Sequence, residues 1–116
     1  MKRDMDLIRL SLLEVEGEQP APNLSEYTEE QKVYHMALCI EAGLVEGNIV
    51  KDGNGHPAAT AAIRLTWKGH EFLDAARNDN VWKKALAQVK KTGGHVTLAA
   101  LEELLKHLAK QSLGLV

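Results

Sequence analysis

Cysteine occurs once in the 116 residues, at Cys39, so no internal disulfide can form and the fold has to be held by packing. Flanked by Leu38 and Ile40, that thiol reads as a small buried hydrophobe. No apolar run approaches the roughly 20 residues that cross a bilayer, so no membrane span is expected. The opening Met1-Lys2-Arg3-Asp4-Met5-Asp6 lacks the apolar core and small-residue cleavage site of a secretion signal, and a cytoplasmic address is expected. Aromatics are scarce too: two Trp, two Tyr and one Phe. Rings this large dominate core energetics, so Trp67, Phe72 and Trp82 are expected to clamp the later helices onto the body.

What is present is an ordered composition, 45% hydrophobic, in a length that suits one domain over residues 1–116. Charge of neither sign dominates the total, but its distribution is uneven. Residues 1–81 carry 8 Lys and Arg against 14 Asp and Glu, net −6, whereas residues 82–116 carry 6 against 2, net +4. Two poles of opposite sign result, which serve solubility and also offer a surface to a charged partner.

Hydrophobic spacing divides the chain into elements. Asp4 to about Glu16 reads as a helix with Met5, Ile8, Leu12 and Val15 on one stripe, stopped by Gly17 to Pro22. Pro20 and Pro22 forbid its continuation, and Asn23 to Tyr27 is expected to be extended or a short strand. Thr28 followed by Gln31 is a capping-box pattern for a helix from Glu29 to about Ala42, with Val33, Met36, Ala37, Ile40 and Leu44 at helical spacing and Gly43 at its end. Leu44–Val50 and Ala58–Leu65 then flank Asp52-Gly53-Asn54-Gly55, the signature of a β-hairpin. Thr66 is expected to cap a helix through Arg77, with Gly69 marking the close approach of another backbone. Asn78-Asp79-Asn80 reads as a break, Val81–Lys91 as a fourth helix, and the segment bearing Leu98, Leu101, Leu105 and Leu108 as a fifth.

Helix, strand, turn, strand and helix from Thr28 to Leu73 is the order of the second half of a winged helix. The predicted fold is therefore mainly α with some β: a winged-helix-like core over 1–77, with a hairpin wing, and a two-helix C-terminal extension over 78–116. If this core meets DNA or a protein, the candidate contact residues are Gln31, Lys32, Tyr34 and His35 on the second long helix and Lys51, His56 and Arg64 on the wing. Glu26, Glu29 and Glu30 oppose phosphate there, and the first turn of a helix accommodates acids through its dipole in any case.

Metal and catalytic signals are weak. His35 and Cys39 stand four apart on one helix, but no second ligand pair has the right spacing, and a core thiol beside a half-exposed imidazole is the expected arrangement. No nucleophile, phosphate-loop or paired-carboxylate pattern stands out, so neither an enzyme nor a cofactor is expected. The leucine stripe of the last helix serves either the monomer core or a homodimer seam, and a homodimer is expected through Leu98, Leu101, Leu105 and Leu108.

Tyr34-His35-Met36-Ala37-Leu38-Cys39-Ile40-Glu41-Ala42-Gly43-Leu44-Val45-Glu46 resembles the recognition helix and following strand of small bacterial winged-helix regulators. The opening nine residues, the Tyr34–Leu44 segment, and the Leu65–Arg77 block with Trp82 resemble a bacterial and prophage family known as domain of unknown function 2513. That resemblance implies a fold and a genomic setting but no catalytic residues. The chain departs from its pattern at residues 17–27, which are Pro-rich and short, and leave no room for the helix that precedes a recognition helix in ordinary regulators. The leading expectation is a non-enzymatic accessory or regulatory protein acting in transcription-related assemblies. The alternative is a protein-interaction adaptor that touches no DNA.

Overall fold

The computed structural model describes residues 1–18 and 21–114. Its elements are helix α1 (Met5–Glu16), a three-residue 3-10 turn (Leu24–Glu26), α2 (Glu29–Glu41), β1 (Val45–Lys51), β2 (Pro57–Leu65), α3 (Trp67–Ala76), α4 (Asp79–Lys91) and α5 (Leu98–Ser112). The protein is thus mixed α and β, mostly helical, with a two-stranded antiparallel hairpin. It divides into two compact units, residues 1–71 and 72–116, so the division falls inside α3 and not at 77/78. None of the helices described is long and apolar enough to cross a membrane.

In the first unit α1 packs on α2, and both strands lie against α2. The Asp4 carboxylate caps α1 by accepting the Asp6 and Leu7 N–H groups at 2.9 and 3.3 Å. Leu7, Ile8, Leu10 and Leu12 are buried, and Ser11 is buried with them because its hydroxyl donates to the Leu7 carbonyl at 2.7 Å. Met5 and Val15 of the predicted stripe are only partly buried, since they lie at the two ends of the helix. The helix stop predicted at Gly17 to Pro22 includes Gln19 and Pro20, which lie outside the described residues. Gly17 itself closes α1 in the left-handed conformation. Asn23 to Tyr27 is not extended, as expected from the prolines, but coils into the 3-10 turn, because Asn23 enters the left-handed region at φ 61° and redirects the chain.

The predicted capping box of α2 is present. The Gln31 N–H donates to Thr28 Oγ1 at 3.1 Å, and the Thr28 N–H donates to Gln31 Oε1 at 2.8 Å. Beyond α2 the strands pair from Val45↔Leu65 to Lys51↔Pro57, with irregularities after Glu46 and after Val50. The Asp52 carboxylate closes the turn by accepting the Asn54 and His56 N–H groups at 2.8 and 3.0 Å. Gly69 approaches the chain as its sequence position implied. A Cβ there would overlap the carbonyl oxygen of Leu44, which is backbone and cannot turn aside.

In the second unit α4 and α5 pack together, with Phe72, Leu73, Ala76, Val81, Trp82, Ala85 and Val89 buried. Asn78 begins a helix as well as breaking one: its Oδ1 accepts the Val81 N–H at 3.0 Å, so Asp79 and Asn80 belong to α4. Two expectations about large side chains need correction. Trp67 is 81% exposed, because the buried stripe of α3 is Gly69, Phe72, Leu73 and Ala76 and residue 67 falls on the opposite side of the helix. Leu101, Leu105 and Leu108 are buried and Leu98 partly so, which assigns the stripe to the interior of its own unit and leaves no leucine seam for a second copy.

The two tryptophans should therefore behave differently in chemical denaturation. Trp82→Ala is expected to lose about 3–5 kcal/mol, while Trp67→Ala should stay within about 0.5 kcal/mol of wild type. Gly69→Ala should cost about 1–3 kcal/mol, because the added methyl has to displace main chain.

Candidate functional site

Helix and strand lengths bring the candidate surface together. The 13 residues of α2 span about 20 Å, and the 7 residues of β1 span about 23 Å. A strand leaving the C-terminal end of α2 and running back along it therefore delivers its turn to the first helical turn. There the structure has a cleft of about 510 Å³. Val33, Tyr34, Pro57 and Ala58 give it an apolar lining, with Met1 also contributing, and Glu29, Glu30, Asp52 and His56 supply the polar groups.

Three carboxylates line this cleft. Glu29 pairs with Lys32 at 2.7 Å. Glu30 is exposed and has no ion pair among the described residues. Asp52 is held below its ordinary pKa by the His56 and Asn54 N–H groups.

The seven predicted contact residues meet different fates. Tyr34 and His56 line the cleft. Gln31 and Lys32 sit on the same helical turn but are engaged, one in the capping box and one with Glu29. Lys51 is exposed beside the turn. Arg64 lies at the far end of the hairpin, bound to Glu46 at 2.6 Å and to the Leu65 carbonyl at 3.1 Å. His35 has to be withdrawn from the surface set, and it is not half-exposed as expected, since only 1% of it is accessible. Its Nε2 accepts the Asp4 N–H at 2.8 Å, so the other nitrogen, Nδ1, carries the proton and donates to the Gln31 carbonyl at 2.8 Å. Both ring nitrogens are thereby used in joining the start of α1 to α2.

Sequence reasoning missed that Asp52 and Pro57 stand opposite Glu29 and Glu30. The acids were visible, but their meeting depends on where the hairpin turn lands. Cys39 is fully buried, and burial pushes its thiol up to about 12. No group of three or more His, Cys, Asp or Glu among the described residues is arranged to hold a metal ion.

The thiol yields a direct test. The folded pKa lies above the unfolded one, so the protonated thiol's contribution to stability is complete below about pH 9 and is lost as pH rises toward about 12. Cys39 should resist iodoacetamide in the native protein at pH 8 and react at the rate of a free thiol once denaturant is added. Comparable labelling of the native chain would show the thiol to be accessible.

Comparison with known proteins is consistent with the sequence resemblance. A protein of Haemophilus influenzae described as uncharacterized is 32% identical over 119 residues, covering 97% of this chain and 99% of that protein. No solved structure matches the chain. The profile of the family described as hypothetical protein (DUF2513) matches residues 2–95, spanning all of the first unit and α4, and the chain belongs to that family.

Proposed function

We infer that this is a non-enzymatic accessory or regulatory protein of the bacterial cytoplasm, of cellular or prophage origin, built on a winged-helix module that docks another protein. The carrying observation is the cleft between the first turn of α2 and the hairpin, where an apolar lining is combined with Glu29, Glu30 and Asp52. In a duplex reader this is the surface that meets phosphate, and it has to bring cations there. Here the nearby Lys32 is taken up by Glu29, and His35 is spent inside the fold. A three-residue 3-10 turn stands before α2 where a duplex reader needs a helix to cross the backbone. The winged-helix reading itself draws support from the element order α1, α2, β1, β2, α3 and from the packing of both strands on α2. The non-enzymatic reading draws support from the burial of the lone thiol and from the full engagement of His35.

Duplex binding is the second reading, favoured by the same element order and by the exposed Lys51 beside the hairpin turn. Fluorescence anisotropy against genomic duplex fragments at low and moderate salt separates the two. The expected result is no submicromolar complex. A tight, salt-dependent complex weakened by Lys32→Ala or Lys51→Ala would establish the duplex reading instead.

A further inference from the structure

The hairpin turn carries a pair of residues whose chemistry the fold leaves open. Asn54 is exposed, and its side-chain amide has no hydrogen bond among the described residues. Gly55 follows it at φ 81°, with nothing within 4 Å of where a Cβ would stand. An asparagine followed by glycine lets the next main-chain nitrogen reach the side-chain carbonyl carbon with least obstruction, because no side chain screens the approach. The other asparagines of the chain lack that opening. Asn23, Asn48 and Asn80 precede the bulkier Leu24, Ile49 and Val81, and Asn78 precedes Asp79 and gives its Oδ1 to the Val81 N–H as the cap of α4.

The same turn restrains the pair through Asp52. The Gly55 N–H, which holds the attacking nitrogen, donates to the Asp52 carbonyl at 3.0 Å, and the Asn54 and His56 N–H groups donate to the Asp52 carboxylate at 2.8 and 3.0 Å. The Asp52 N–H donates in turn to the His56 carbonyl at 2.8 Å. A nitrogen held as a donor is less free to lose its proton, and the ionised Asp52 carboxylate opposes the anion that proton loss creates. Hydrogen bonds of a solvent-exposed turn open at low free-energy cost, so the restraint slows the reaction without abolishing it.

We propose that Asn54 is a site of spontaneous deamidation in the folded protein and that Asp52 sets its rate. The Gly55 nitrogen gives its proton to hydroxide and bonds to Asn54 Cγ. The Cγ–Nδ2 bond then breaks, and the amide nitrogen takes a proton from water and leaves as ammonia, which restores the hydroxide. Water adds to either carbonyl carbon of the cyclic imide, and rupture of that ring C–N bond yields aspartate or isoaspartate at position 54. Water is the only co-reactant, and no electrons are gained or lost. Either product sets a further carboxylate in the turn that Asp52 organises. Isoaspartate also adds a methylene to the main chain, which changes the spacing between Asp52 and the Gly55 and His56 N–H groups. Asp52, His56 and Pro57 line the α2–hairpin cleft, so the modification alters that cleft whatever occupies it.

The test incubates the full chain at neutral and mildly alkaline pH, beside a sample held in denaturant, and follows tryptic peptides by mass spectrometry. Cleavage after Lys51 and Arg64 releases residues 52–64, in which Asn54 is the sole amide side chain, so exchange of NH2 for OH in that peptide reports Asn54 alone. The native chain should convert more slowly than the denatured one, and faster as pH rises. Asp52→Ala removes both acceptor and charge and should convert several-fold faster than wild type. Asp52→Ser keeps a weaker acceptor in the same place and should fall between the two. Far-UV circular dichroism checks that both variants remain folded. Asn54→Gln should abolish the change in this peptide, because its longer side chain closes a larger ring far more slowly.

A native 52–64 peptide that stays unchanged while the denatured sample converts overturns the proposal. Conversion at Asn23, Asn48, Asn78 or Asn80 ahead of Asn54 does so as well. Equal rates in native and denatured wild type, or in wild type and a folded Asp52→Ala chain, also overturn it, because Asp52 then exerts no restraint.

Discussion

The end of α2 and the start of α3 hold each other through main chain, and the geometry of the first unit follows from that junction. A helix leaves its last carbonyls without intrahelical partners; here those of Leu38, Cys39 and Ile40 accept the Ala42, Leu44 and Gly43 N–H groups, and the carbonyls of Ala42, Gly43 and Leu44 just beyond the helix are met by the residues that open α3. The Leu44 carbonyl accepts the Thr66 N–H at 3.0 Å, the Gly43 carbonyl accepts the Thr66 hydroxyl, and the Ala42 carbonyl accepts the Lys68 ammonium at 3.2 Å. Thr66 Oγ1 also accepts the Gly69 N–H at 3.0 Å, capping α3 with the same hydroxyl that donates to the turn leaving α2. Gly43 makes the turn out of α2 at φ 76°, a conformation that a side chain would strain. Gly69 allows the approach because it has nothing to place against Leu44. Since β1 leaves and β2 returns at this junction, the hairpin has a fixed base, and its length then determines where its turn comes to rest.

Burial of His35 is the second constraint. An imidazole inside a core has to satisfy both nitrogens or forfeit their solvation, and here one nitrogen takes a backbone N–H from the start of α1 while the other gives to α2 itself. The ring thus spends its chemical capacity on joining two helices. Its neighbour in the helical repeat, Cys39, is buried as an apolar group, with a thiol that burial keeps protonated. The histidine and cysteine whose spacing resembled a ligand pair are therefore taken up inside the fold.

Glu29 and Glu30 stand in the first turn of α2, where the helix dipole favours negative charge, and Asp52 organises the hairpin turn. Each has a local structural reason to be acidic. Only the fold brings all three to the lining of one cleft.

Local chemistry was legible in the sequence wherever a few adjacent residues decide it. The Thr28/Gln31 capping box, the Asp52–Gly55 turn and the close approach at Gly69 were each implied by side chains within a turn of one another, because hydrogen bonds and steric limits at that range do not depend on the rest of the chain. Helical spacing also implied the stripes of α4 and α5. Which side of each stripe meets protein was decided only in three dimensions: Trp67 turned outward because the inward positions of α3 begin at Gly69, and Leu101, Leu105 and Leu108 were closed off within their own unit. The same holds for His35, whose partner Asp4 lies 31 residues away, and for the cleft, where Glu30 and Asp52 meet because strand length matches helix length. Contacts between distant residues depend on how elements are laid against one another, and no local pattern encodes that distance.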